Sequence, residues 1–210
     1  MSVNLSESAP ITSLEVYQRQ VTQDAKLELV NLAEAIPTVV LDVRYATSRN
    51  LLGKPLYQMA RAYLRRPVAE ALSRVQHVLQ QRGVGLCVYD AYRPYSLATR
   101  FYEQLRGKAA EEASGWQSFR PNRGCSVDVA LVEYATGRHV PLPTEYEAVS
   151  PAAHSQFKTL PAHILLNRCL LLAAMKQQGF INYPGKWWRF DHKCWPEFDL
   201  VDLPFEALEH

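Results

Sequence analysis

The chain has 210 residues, enough for one well-filled core and too few for a second full domain. Its 48% hydrophobic and 21% charged content is that of an ordinary soluble globular protein. With 23 basic against 21 acidic residues and no long basic block, the composition makes no case for nucleic acid; a small molecule is the expected partner. No stretch approaches the roughly 18 apolar residues of a membrane span. The opening residues carry neither a basic segment nor an apolar run, so a cytoplasmic location is expected. Cys87, Cys125, Cys169 and Cys194 are far apart and show no C-x-x-C or C-x-x-H spacing, which predicts reduced, mostly buried thiols.

Residues 1–26 are polar and unpatterned and read as a loose arm or a short helix lying on the domain. Residues 38–45 alternate well enough for a strand. Over residues 62–82, Leu64, Val68, Leu72, Val75 and Leu79 recur at spacings of three and four, which predicts a helix with Pro67 in its first turn and Gly83 beyond its end. Residues 86–90 read as a short strand leaving through Asp90-Ala91-Tyr92-Arg93-Pro94, and Ser96 is placed to cap a helix running to about Arg106. Residues 107–123 read as a loop.

Residues 125–132 read as a strand in which Asp128 interrupts an apolar run. Such a carboxylate is costly unless it is paired or bound to metal, which marks Asp128 as a candidate functional group. Residues 163–178 are apolar around most of a helical circumference and predict a buried central helix stopped by Gly179. Residues 180–183 and 187–190 supply the last strands, and residues 206–210 resemble the remnant of an expression tag. Without a regular βαβ rhythm or a phosphate-binding glycine motif, the expected class is α+β, a single domain over residues 27–205 with a central, mainly antiparallel sheet packed by helices.

Several segments together resemble the D-alanyl-D-alanine dipeptidases of the vancomycin-resistance type, which belong to peptidase family M15 and share their fold with the hedgehog signalling domain. The resemblance is carried by residues 41–47, by Asn50 with 53–57, by 63–69, by Asp90-Ala91-Tyr92-Arg93-Pro94, by Arg123-Gly124-Cys125-Ser126-Val127-Asp128, by Asn167-Arg168, by Gly179-Phe180 and by Trp187-Trp188. It implies a zinc site of the form S-x-H-x-x-G-x-x-x-D followed by E-x-x-H, in which His, Asp and His bind the ion and Glu is the base. Counted onto this chain, the aspartate falls on Asp128, but the first histidine falls on Pro121 and the serine on Phe119. The glutamate falls on Lys186 and the second histidine on Arg189.

A catalytic zinc needs three protein ligands and an open position. Proline has no side-chain donor and arginine does not deprotonate, so the resemblance implies a degenerate metal site and no cofactor. The remaining histidines offer one substitute, an alternative site of Asp128, His192 and a loop histidine.

The resemblance further implies that Arg93, which in the family stabilises charge on the scissile carbonyl, joins Lys186 and Arg189 in a cationic pocket around Asp128. Lys186, Asp128 and Arg93 are the candidate catalytic residues, with Lys186 as base or amine nucleophile. Arg93, Arg189, Tyr45, Ser126, Trp188 and Tyr57 are the candidate substrate-binding residues, and a thiolate at Cys125 is a further candidate. The expected function is a zinc-independent homologue, repurposed for biosynthesis, that binds and transforms a small carboxylate-bearing amino-acid- or dipeptide-derived molecule. The alternatives are a non-catalytic pseudo-dipeptidase that binds a peptide or protein, and a zinc dipeptidase with unusual ligands.

Overall fold

The computed structural model describes residues 9–105 and 120–209; the loop expected over 107–123 lies outside it as far as residue 119. Five strands form the central sheet: β2 (Val40–Leu41), β4 (Val84–Asp90), β5 (Ser126–Glu133), β6 (Phe180–Asn182) and β7 (Arg189–His192), in the order β2-β4-β5-β7-β6. Only β2 runs parallel to its neighbour, β4; the other pairs are antiparallel. A separate antiparallel pair joins β1 (Leu29–Asn31) to β3 (Tyr63–Arg65). The expected α+β architecture is therefore present.

The sheet's two faces follow from the twofold alternation of a strand. Leu86 and Val88 point to one face with Val127, Val129 and Leu131, and all five are buried. Helix α3 (Arg66–Gln80) covers that face with Val68, Leu72, Val75 and Leu79, the stripe the spacing predicts. Its buried Gln76 closes an open end of the sheet, accepting from the Leu86 N–H at 2.7 Å and donating to the Thr38 carbonyl at 2.9 Å. The opposite face carries Tyr89, Asp90, Ser126, Asp128, Arg189 and Asp191, and the strand irregularity between Val88 and Asp90 sets Asp90 opposite Asp128.

Four local expectations are corrected. The strand expected over 38–45 shrinks to two residues, because a 3-10 turn over Arg44–Ala46 takes up the rest. Helix α4 (Tyr95–Leu105) begins before Ser96, whose backbone N–H and hydroxyl both donate to Asp202 Oδ1, at 2.9 and 2.8 Å. The orphan donors of that helix are thus satisfied from the far end of the chain rather than by a local cap.

Helix α5 (Ala162–Gln177) is peripheral, not central: it buries Arg168, Leu171, Ala174 and Met175 against α3, β5 and β6 and leaves Leu166 70% exposed. Within the expected tail, 206–210, Leu208 is buried, and Phe205, the last residue of the expected domain, is set edge-on to Tyr57 at 4.9 Å. At the other end, α1 (Leu14–Gln23), capped by Ser13, buries Tyr17, whose hydroxyl accepts from the Leu29 N–H at 2.6 Å. The short α2 (Leu32–Ala35) follows β1.

Gly124 sets the entry to β5. Its φ of +72° ends a 3-10 turn over Pro121–Arg123, and its carbonyl accepts from the Arg65 N–H. A Cβ there would meet Leu29 Cδ2 at 2.4 Å and Arg65 N at 3.3 Å. Gly124→Ala is expected to cost roughly 2–4 kcal/mol by combining a left-handed backbone with overpacking, read as a lowered denaturation midpoint. An unchanged midpoint would contradict this role.

Candidate functional site

Three neighbouring strands bring charge to one buried layer. In the ladders Asp128 on β5 has Asp90 on β4 opposite it on one side and Arg189 on β7 on the other. Each is answered. Arg93, fully buried, forms an ion pair with Asp90, donates from Nε to the Tyr57 hydroxyl at 3.1 Å, and lies 4.3 Å over the Tyr45 ring. Tyr57 in turn donates to Asp90 Oδ1 at 2.8 Å. Tyr146 donates to Asp128 Oδ2 at 2.7 Å, and the Arg189 charge opposes burial, the larger effect, which pushes the Asp128 carboxyl up.

Arg189 also lies 4.0 Å from Asp191, which accepts from Ser126 at 2.5 Å and from Arg120 at 2.6 Å. Arg93, Arg189 and Arg120 thus balance Asp90, Asp128 and Asp191, as buried charges must.

A lid of irregular chain closes over this layer. Asn167 and Arg168 of α5 donate to the Pro141 and His154 carbonyls, holding the connection between them. That connection lowers Tyr146 onto Asp128 and Glu147 onto Tyr45, whose hydroxyl donates to the Glu147 carboxylate. The Leu51 N–H also donates to Glu147, at 3.0 Å, from a loop that Asn50 holds by donating to the carbonyls of Arg44, Thr47 and Lys54. Burial pushes the Glu147 carboxyl up to about 7, in spite of these donors.

Above the layer lies a cleft of about 720 Å³ whose walls include Leu51, Glu147, His154, Tyr183, Lys186 and Trp188. The segment after Ser150 docks on the turn before β7, with the Trp187 N–H donating to the Ala153 carbonyl at 2.9 Å. Of the residues singled out in the sequence, Lys186, half-buried, and Trp188 line the cleft; Asp128, Arg93, Arg189, Tyr45 and Tyr57 form the layer behind it. Lys186 acts on Asp128 through its charge. Ser126 is turned to Asp191 rather than to the cleft.

Tyr146 and Glu147 were not expected. They sit in a connection rich in Pro and Glu whose composition reads as solvent-facing, and only their tertiary partners reveal them. His192 lies on the far side of β7 from Arg189, beside Gln178 and Cys194, and so does not join Asp128. Burial pushes the Cys125 thiol up, away from thiolate.

Fold and site together define a peptidase-like α+β domain with a charged layer beneath a cleft. The family model for D-Ala-D-Ala dipeptidase matches residues 25–196, and the chain belongs to that family. Its relatives include the D-alanyl-D-alanine dipeptidase of Escherichia coli (strain K12), 28% identical over 78% of this chain and 84% of the relative. That of Streptomyces coelicolor is 27% identical over 81% and 95%, and that of Enterococcus faecium 26% over 76% and 88%.

The zinc ion implied by the dipeptidase motif finds a poor donor set here. Pro121 offers only its backbone carbonyl, which accepts from the Arg93 and Gly124 N–H groups, and Arg189 brings a cation. Phe119 lies outside the described residues. Among the described residues one other group of donors converges, Asp42, Cys87 and His139, within 4.8 Å of one another. Both Asp42 oxygens already accept from Arg44 and Arg49, and burial first pushes the Cys87 thiol up to about 12, so this group also disfavours a dication.

Glu147 yields a pH prediction. A carboxyl held near 7 when folded and 4.5 when unfolded is protonated in both states at low pH; between these values only the unfolded state ionises, so stability falls as pH rises. At about 1.4 kcal/mol per pH unit the full effect is on the order of 3 kcal/mol. Glu147→Gln is expected to gain stability relative to the parent chain from pH 4.5 to 7.5 in paired urea titrations. A difference that does not vary with pH would contradict the assignment.

Proposed function

We propose that this chain is a metal-independent member of the dipeptidase family whose cleft binds a small carboxylate-bearing molecule, derived from an amino acid or a dipeptide, and transfers a proton on it. The observation that carries this reading is Arg189 opposite Asp128, a fixed side-chain cation where the family motif has a metal-binding histidine. Lys186 on the cleft wall supplies the charge that meets the ligand's carboxylate, and its ammonium is the candidate base or nucleophile once deprotonated. Glu147, in the same wall and held near neutrality, is the group suited to give or take a proton at physiological pH.

Arg93 and Arg189 contribute the positive field behind the ligand, while Asp128 and Asp90 keep those cations fixed. A cytoplasmic location is part of this reading. The mutual pairing of Arg93 with Asp90 also favours a second reading, in which the layer is purely structural and the cleft holds a peptide without turnover.

Calorimetric titration with amino acids and dipeptides of both hands, D-alanyl-D-alanine included, in the presence of a chelator, tests the proposal. Saturable binding that weakens about tenfold in Lys186→Ala is expected, matching the loss of one charge-assisted contact. Turnover of a bound ligand that falls in Glu147→Gln while binding persists would separate the first reading from the second. Binding or hydrolysis that appears only on adding zinc would overturn both.

A further inference from the structure

At the ends of β5 and β7, away from the cleft, two cysteines and a histidine meet. Cys125 immediately precedes β5, and its carbonyl accepts from the His192 N–H at 2.8 Å, which brings the chain just past β7 alongside it. Two residues on, Cys194 places its Sγ 2.9 Å from His192 Nδ1. His192 Nε2 lies 3.2 Å from the Gln178 carbonyl. Only an N–H can face a carbonyl, so Nε2 carries the proton of the neutral ring, and Nδ1 is left as the acceptor for the Cys194 thiol.

The ring is further held edge-on to Phe180 at 5.0 Å. A thiol, a base in reach of it, and a third group that orients the base constitute an activated nucleophile.

The surroundings fit that role. Cys194 is half-buried, whereas Cys125 is fully buried. The guanidinium groups of Arg120 and Arg123 lie 4.6 and 5.6 Å over the ring of Trp195, the residue next to Cys194, while Glu197 opposes a negative charge on Cys194. The neighbouring Cys125 thiol, whose Sγ lies 3.6 Å from the Arg123 carbonyl, is the largest of the effects that pull Cys194 down to about 5; burial works against it and His192 adds to it. By contrast Cys169 is exposed on α5, and Cys87 is buried with its thiol pushed up.

We propose that Cys194 is a thiolate that reacts with hydroperoxides and that Cys125 is its resolving thiol, so that oxidation links the start of β5 to the turn after β7 by a disulfide. The Cys194 proton passes to His192 Nδ1, and the resulting thiolate attacks the terminal oxygen of the hydroperoxide. The O–O bond breaks, an S–O bond forms, and the leaving alkoxide or hydroxide takes the proton held by the His192 imidazolium. Cys194 is then a sulfenic acid.

The Cys125 sulfur attacks it, its proton passes to the departing hydroxyl, and a disulfide and one water result. Two electrons have moved from the pair of sulfurs to the peroxide.

The reduced full-length chain, treated with hydrogen peroxide, blocked with iodoacetamide and mapped as peptides without reduction, tests this. The parent chain is expected to give a Cys125–Cys194 disulfide with Cys169 still free, and Cys125→Ser to leave Cys194 trappable by dimedone with no disulfide. Without any variant, iodoacetamide at pH 6 is expected to alkylate Cys194 about tenfold faster than the more exposed Cys169, because only the thiolate reacts. Cys169 reacting first with either reagent, or Cys194 staying reduced in the treated parent chain, would overturn the proposal.

Discussion

A carboxylate in the middle strand of a sheet is the constraint from which the rest of this site follows. Asp128 lies buried on β5, where an unanswered charge would cost several kcal/mol, and the ladders on both sides decide what answers it. On one side stands Asp90, which would aggravate the problem were it not tied to Arg93. On the other stands Arg189. Tyr57 and Tyr146 fill hydrogen-bonding positions, and Tyr45 gives Arg93 an aromatic face. The loops over this layer owe their courses to it, since Tyr146 and Glu147 are drawn inward by partners on or beside it.

The chemistry open to the site changes with the identity of that cation. A zinc ion would offer an open coordination position and acidify water; a guanidinium offers a fixed charge and directed donors and no such position. On the proposed reading, therefore, what remains is electrostatic binding of an anionic group and proton transfer by side chains whose acidity burial has moved, Glu147 foremost. The cleft is wide enough for a small molecule, and its walls include Lys186, Glu147 and Trp188. The family fixes the scaffold; the site's own charges set the limits on what it does.

The sequence revealed those parts of the fold that depend on local pattern. Strands β4 and β5 and helix α3 stand within a few residues of their expected bounds, because burial on one face imposes a period that short windows detect. Asp128 stood out for the same reason, as a break in an apolar run. What was hidden depends on distant partners. Asp202, not a neighbouring residue, satisfies the start of α4. Helix α5 is apolar around its girth but meets the core along only one stripe, since the sheet's helical face is shared with α3.

Tyr146 and Glu147 came from a segment with no periodicity at all. The thiol pair escaped because Cys125 and Cys194 are 69 positions apart and meet only through the β5–β7 ladder.

The account turns on what neutralises Asp128, and crystals of the full chain soaked in zinc and measured at the zinc absorption edge address that directly. The account predicts no anomalous peak within bonding distance of the Asp128 carboxylate and density for the Arg189 guanidinium beside it. A zinc peak bonded to Asp128, with Arg189 swung away, would contradict it and return the chain to metal-dependent chemistry.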